Sequence, residues 1–169
     1  MIEAVTPAEA PLPAAGAGDT ADPSAAVLRT FFRFLRLHRR ITARATQEYR
    51  RIGLSIPQFD VLSTLSEQEG QSQQELAERL YVTKGNVSGL IDRMAAQGLV
   101  ERRALAGDRR SNALFLTADG RALTQKGMAL QRSLVAATLG GLPGADVAAL
   151  DRLLVAWRDR IRAMPPGEA

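Results

Sequence analysis

The chain has 169 residues, of which 46% are hydrophobic and 24% charged, enough apolar content for a domain with its own core. It contains no cysteine and one histidine, His38, which excludes disulfides, thiolate metal sites and thiol-based redox sensing and disfavours a histidine-built zinc site or catalytic triad. No apolar run approaches the roughly 18 residues of a membrane span, and no signal-peptide pattern opens the chain. We therefore expect a cytoplasmic protein without a membrane partner.

Charge is unevenly distributed along the sequence. Residues 1–23 carry four carboxylates and no lysine or arginine, whereas the rest carries 22 basic and 14 acidic groups, a net charge of +8. Twenty of the cations are arginine. This balance favours a polyanionic partner such as nucleic acid. A high-GC genome that encodes arginine for lysine is an alternative source of the arginine preference, but it does not explain the sign of the charge.

The N-terminal part is predicted to be a disordered tail followed by a long helix. Residues 1–23 are rich in Ala, Pro and Gly and have too few large apolar groups to offset the entropy of ordering. From Val27 onward, Phe31, Phe34, Ile41 and Ala45 follow helical spacing. His38 lies on the same stripe. The apolar face is wider than one neighbouring helix needs, which indicates an oligomer interface.

Three helices are then predicted from their ends. Ser55 precedes Gln58 by three residues and Ser72 precedes Glu75 by three, and both pairs fit the capping box. Thr83 caps a third helix, whose apolar stripe of Val87, Leu90, Ile91 and Met94 ends before Gly98. Two helices joined by about three residues are typical of a helix-turn-helix.

A hairpin follows the third helix. Residues 99–103 and 112–116 are predicted strands around a polar loop, 104–111, with arginines at its tip. Thr117 then caps a long helix that Gly140 and Gly141 end, and a last helix follows Pro143 and Gly144. The fold class is mainly α with a small β-hairpin: a winged helix-turn-helix lobe with a helical dimerisation layer.

The predicted DNA contacts lie on the outward face of the third helix and on the hairpin. Small polar residues near a helix N-terminus let it approach base edges, and an arginine at a hairpin tip suits a narrow minor groove. An ordinary solvated helix face and a solubilising charged turn are the alternatives. The predicted DNA-binding residues are Ser72, Gln73, Thr83, Lys84, Gly85, Asn86, Ser88, Gly89, Arg93, Arg109 and Arg110, with Asp108 orienting a wing arginine.

Three stretches resemble the multiple-antibiotic-resistance regulator (MarR) family. They are GLSIPQFDVLSTL (53–65), SQQELAERLYVTKGNVSGLIDRMAAQGLVER (72–102) and GDRRSNALFLTADG (107–120). The resemblance implies a homodimer whose first and last two helices interlock and whose two lobes meet a pseudo-palindromic operator. It also implies that the arginine matching Arg110 enters the minor groove, paired with the aspartate matching Asp108. Gly89 stands where many members carry an arginine, which removes a base contact expected from that position.

Together these observations predict a tail (1–23), a dimerisation helix (24–52), a DNA-binding lobe (53–116) and C-terminal dimerisation helices (117–164). The expected function is a homodimeric repressor that binds double-stranded DNA through a recognition helix (83–97) and a wing (103–111). The family resemblance implies release by a small-molecule effector, whose contacts the sequence does not identify; His38 is either an interface residue or such a contact. The alternatives are a protein-binding adaptor and a ligand-insensitive regulator. No enzyme motif and no cofactor motif is found.

Overall fold

The computed structural model describes residues 22–105 and 108–165, except for the side chains of Pro23, Leu105 and residues 108–111. Residues 1–21, which make up most of the predicted tail, lie outside the described residues. The chain divides into two units between Arg40 and Ile41, within its first helix. The described part of the first unit is therefore the N-terminal half of that helix.

The described ranges form six α-helices and one small sheet. The helices are α1 (Pro23–Arg50), α2 (Ile56–Glu67), α3 (Gln73–Arg79), α4 (Lys84–Ala96), α5 (Ala118–Ala137) and α6 (Gly144–Arg162). The strands are β1 (Gln71–Ser72), β2 (Val100–Leu105) and β3 (Asp108–Leu116). A 3-10 turn, Leu139–Gly141, separates α5 from α6. This architecture confirms the predicted fold class.

The N-terminal half of α1 exposes the apolar face that the sequence predicted. The helix begins with Pro23, a residue suited to a first turn, and the Asp22 carboxylate accepts a hydrogen bond from the Ser24 amide at 3.0 Å. Val27 is 68% exposed and Leu28 is 53% exposed. The rings of Phe34 and His38 stack 6.3 Å apart along this face. So much exposed apolar surface marks an interaction face.

The predicted helix caps are present in the second unit. Ser55 and Gln58 form a reciprocal capping box at α2, and Ser72 and Glu75 form one at α3. Hydrogen bonds from the Ser72 amide and hydroxyl lower the pKa of Glu75, so its carboxylate stays ionised at the helix start. Thr83 caps α4 and Thr117 caps α5. These caps fix where α2, α3, α4 and α5 begin.

The core of the second unit packs the inner faces of α2, α3 and α4 against the sheet and α5. Leucines dominate it, because each short element presents one apolar stripe inward. The largest fully buried side chains are Leu54, Val61, Leu62, Leu65, Leu76, Val87, Ile91, Met94, Leu114 and Leu116. The inward face of α2 contributes Phe59, Val61, Leu62 and Leu65, which are all buried.

The sheet is larger than the sequence predicted. Its strands are antiparallel in the order β1-β3-β2, and β1 pairs through Gln71 with Leu114. The predicted loop 104–111 was wrong at most of its positions, because β2 continues to Leu105 and β3 already begins at Asp108. Charged side chains do not prevent strand pairing in an exposed hairpin, since the backbone makes the hydrogen bonds. Residues 106–107 lie outside the described residues.

The last two helices leave the chain with a second exposed apolar face. No residue of α6 is buried, and Leu153 is 69% exposed.

No single helix in the described ranges is long and apolar enough to cross a bilayer; α5 with its 3-10 turn and α6 meet that criterion only as a pair bent by 107°.

A clamp around Phe59 joins three helices in the second unit. The ring of Tyr49 stacks on that of Phe59 with centroids 4.5 Å apart, and the Tyr49 hydroxyl donates to Gln131 of α5. Burial, and secondly the Asp60 carboxylate, raises the pKa of Tyr49 to about 12, so the phenol remains a donor at neutral pH. A Cβ built on Gly127 of α5 would lie 2.6 Å from the Phe59 ring. Only glycine allows α5 to approach this ring so closely.

Gly127→Ala should therefore destabilise the protein. The added methyl group forces the Phe59 ring out of its present position, and we expect the free energy of unfolding to fall by about 1–2 kcal/mol despite the better helix propensity of alanine. Urea unfolding followed by circular dichroism measures the change. Gly89→Ala is the matched control, because a Cβ there meets only the Arg93 guanidinium at 3.7 Å. An equal loss in both variants would contradict the clamp.

Candidate nucleic-acid interface

The predicted recognition helix is α4, and its two faces differ sharply. Val87, Ile91 and Met94 are buried in the core, whereas Lys84, Gly85, Asn86 and Arg93 are exposed. The Thr83 hydroxyl accepts from the Asn86 amide at 3.4 Å and closes the N-terminal turn. The buried stripe holds the helix rigidly, and its polar face is free to meet another molecule.

The two glycines of α4 are not required by the fold. A Cβ at Gly85 would meet nothing within 4 Å, and one at Gly89 would be in ordinary contact with Arg93 alone. Glycine weakens a helix interior by about 1 kcal/mol relative to alanine, so neither residue stabilises the free chain. Their absent side chains leave the backbone of α4 open to close approach from outside. This property suits a helix that enters a DNA groove.

Four of the predicted site residues line one groove between α2 and α4. Gly85, Asn86, Gly89 and Arg93 form its α4 side. Across the groove, Gln58 Nε2 donates to Gln97 Oε1 at 2.8 Å, which fixes the start of α2 to the end of α4. Burial raises the pKa of Asp60, which also lines the groove. The groove holds the four residues on one surface.

Ser72 and Gln73 lie apart from this groove, at the start of α3. Ser72 is occupied as the α3 cap. Gln73, with its amide oxygen facing Arg102, accepts from Arg102 Nη2 at 2.7 Å and from Nε at 3.1 Å. Arg102 also donates to Asp92 of α4 at 2.6 Å. Arg102 therefore links α3, α4 and β2.

No local sequence pattern indicates this link, because Arg102 lies ten positions from Asp92 and 29 positions from Gln73 along the chain. The link makes Arg102 a positioning residue, because it joins Gln73 in the first turn of α3 to Asp92 in the C-terminal half of α4.

For the predicted site residues of the wing, the structure describes only the backbone. Asp108, Arg109 and Arg110 begin β3, and Leu105 pairs with Asp108 across the hairpin after a register shift. The side chains of these three predicted site residues lie outside the described residues. Closer to the lobe, the Arg103 guanidinium lies 4.3 Å above the Phe115 ring and pairs with Glu101. The base of the hairpin is therefore braced by its own side chains.

Among the described residues, no group of three or more His, Asp or Glu side chains is arranged to hold a metal ion. The chemistry available at this surface is hydrogen bonding by amides and hydroxyls and ion pairing by arginine and lysine.

Comparison with known proteins identifies the family. A MarR family model matches residues 52–111. The chain is 33% identical over 103 residues to an HTH-type transcriptional repressor of Mycobacterium bovis, a match that covers 61% of this chain and 74% of that protein. The chain belongs to the MarR family.

Other members give the same result. An HTH-type transcriptional regulator, TtmR of Methylorubrum extorquens, is 36% identical over 114 residues, which cover 65% of this chain but only 55% of that protein. AbsC, a MarR family regulator from Streptomyces coelicolor, shares the fold with a TM-score of 0.76 at 23% identity, over 87% of this chain and all of that one. The repressor CouR, bound to a 23-mer DNA duplex, matches with a TM-score of 0.64 at 27% identity, over 82% of this chain and 92% of that chain.

Proposed function

We propose that this MarR-family chain is a homodimeric transcriptional repressor that binds a pseudo-palindromic operator and acts in the cytoplasm. The observation that carries the proposal is the outward face of α4: exposed, capped by Thr83, and opened by two glycines that the fold does not need. The net charge of +8 outside residues 1–23 suits a DNA partner. CouR, a repressor with this fold, is bound to a DNA duplex, and the Mycobacterium bovis relative is also described as a repressor.

In this proposal the site residues divide by role. Asn86 and Ser88 contact base edges in the major groove, while Lys84 and Arg93 contact phosphates. Arg109 and Arg110 extend the wing toward the minor groove, with Asp108 orienting one of them. Thr83 and Ser72 act through their helix N-termini, where amide groups favour an anionic phosphate. A protein-binding adaptor remains the alternative, and it needs no dependence on DNA sequence or salt.

Substituting the proposed base contact separates the two roles. Asn86→Ala should reduce the preference for operator over random duplex by about 1–3 kcal/mol while leaving nonspecific affinity nearly unchanged. Lys84→Gln should instead weaken both and lower the salt dependence by about one phosphate contact. Fluorescence anisotropy with the chain's own upstream intergenic DNA at several salt concentrations measures this, with Arg110→Ala included for the wing. Equal binding of all duplexes by the unmodified protein would favour the adaptor.

The homodimer rests on exposed apolar surface in each unit. Large apolar side chains that stay exposed in a single chain mark an interface, and α6 carries them along one face. They are Leu150, Leu153, Leu154 and Ile161, with exposures of 37%, 69%, 42% and 57%. The apolar face of α1 has the same character. Two copies would cover these faces together.

Leu153→Glu should separate the dimer. Because Leu153 is already exposed in one chain, the change leaves the protomer folded but places two charges in the interface. Losing about 1.5–3 kcal/mol per protomer weakens dimerisation on the order of 10² to 10⁴-fold. Sedimentation equilibrium measures the dissociation constant. Ala148→Glu, on the opposite face of α6, is the control, and identical dimer affinities for both variants would exclude this face.

Release by a small anionic ligand is the last part of the proposal. A cavity of about 370 Å³ lies against α2, α5 and the end of β3, and it is lined by Arg121 and Arg132 together with Ser66, Glu69, Leu116, Thr124, Gln125 and Met128. Glu69 pairs with Arg121 and also accepts from the Leu116 amide at 2.9 Å. A ligand carboxylate that took over Arg121 would alter the hold of Glu69 on β3, the wing strand.

Benzoate and related aromatic carboxylates are the first ligands to test. They fit the cavity in size, and we expect millimolar concentrations to lower operator affinity in the unmodified protein about tenfold, a coupling of about 1.4 kcal/mol. Arg132→Gln should remove most of this effect, whereas Arg158→Gln on α6 should retain it. If no carboxylate in the panel changes operator affinity, release by an aromatic carboxylate is wrong.

A further inference from the structure

A row of four arginines runs along α1 on the side opposite its apolar face. The row consists of Arg29, Arg33, Arg36 and Arg40, all exposed and all in the first unit. Their spacing of four, three and four residues places them within about 60° of arc and along about 17 Å of helix.

The row is not neutralised within α1. From Pro23 the helix contains no acidic residue before Glu48, and Glu48 is already paired with Arg44 at 2.9 Å and with Arg51 at 2.7 Å. Among the residues that the structure describes, none forms an ion pair or hydrogen bond with the four arginines of the row. Like charges three and four residues apart on a helix repel one another. The helix carries this repulsion in the free chain, and a polyanion would relieve it.

The charge pattern favours DNA over a lipid surface. A helix that lies in a membrane interface uses its apolar face for insertion, but the apolar face of α1 is assigned to the dimer in the proposed function. The row then presents a line of guanidinium groups about one helical turn apart, bordered on one side by the exposed ring of Phe32. Such a line matches a backbone with a phosphate for every 1.7 Å or so of duplex axis. Arginine also pairs with phosphate through two parallel hydrogen bonds.

We infer that the arginine row is a second DNA-binding surface, which contacts phosphates without regard to sequence. The inference rests on the proposed function in taking DNA as the partner and in assigning the apolar face of α1 to the dimer. It assigns affinity and salt dependence to α1, and sequence preference to α4.

The test replaces all four arginines of the row with glutamine in the full chain. Each lost phosphate contact removes about 0.9 from the magnitude of the slope of log affinity against log salt. The magnitude should therefore fall by about 3 to 4 for each row that contacts the duplex. Affinity for random duplex should fall at low salt, while the ratio of operator to random affinity stays within about twofold. The fourfold Arg→Lys variant keeps the charge and should retain most of the slope. Thermal unfolding by circular dichroism confirms that each variant is folded.

A second control removes the same charge elsewhere. Arg152, Arg158, Arg160 and Arg162 of α6 are exposed but spread around the helix, and their replacement by glutamine should change the slope much less. Sedimentation checks that this variant still dimerises. A glutamine row that binds random duplex with the slope of the unmodified protein would overturn the inference, as would an effect no larger than that of the α6 control.

The outcomes also separate this inference from the proposed function. If Asn86→Ala leaves sequence preference intact but the glutamine row lowers the slope, the role of α4 is wrong and the row stands. If α4 behaves as proposed and the row changes nothing, the inference alone fails. Vesicles containing phosphatidylserine test whether the row binds a membrane instead. Vesicle binding that depends on the row, with DNA binding unchanged, would assign the row to a membrane and overturn the inference.

Discussion

The ring of Phe59 contacts both the ring of Tyr49 and the backbone of Gly127, and these contacts join the C-terminal end of α1, the start of α2 and the middle of α5. The Tyr49 hydroxyl adds a hydrogen bond to Gln131, so the joint combines close packing with a directional contact. The α2 helix packs against α3 and α4 in the shared core, and α5 is followed along the chain by α6. The orientation of α4 relative to α5 therefore depends on this aromatic joint more than on any single surface interaction.

Beyond that joint, the lobe is a set of short elements that each have one buried and one open face. In α4 the buried stripe supplies rigidity, and Arg102 ties the helix to α3 and β2 through Asp92 and Gln73. A rigid helix loses little further entropy when it binds. The core packing on the buried face of α4 offsets the destabilising effect of the two glycines on its open face. Glu69 joins two further elements, because its carboxylate accepts a hydrogen bond from Leu116 of the wing strand and pairs with Arg121 of α5.

Features set by neighbouring residues could be predicted from the sequence. The caps at Ser55, Ser72, Thr83 and Thr117 depend on residues three positions away, and all four are present. Features set by distant residues could not. The lengths of β2 and β3 depend on pairing between strands, the two-residue β1 is too short to give a pattern, and the close approach of Gly127 to Phe59 depends on how α2 and α5 cross. The DNA-contacting roles of the α4 and wing residues remain predictions.

The placement of charge argues for a division of labour along the chain. A genome rich in arginine codons explains why the cations are arginine, but it does not explain why four of them lie on one side of a helix. The open face of α4 carries only Lys84 and Arg93 near its small polar residues, too few cations to supply much affinity for phosphates. The arginine row of α1 supplies charge without sequence information. In our proposal, α4 determines the operator sequence, and α1 supplies affinity for DNA that does not depend on sequence.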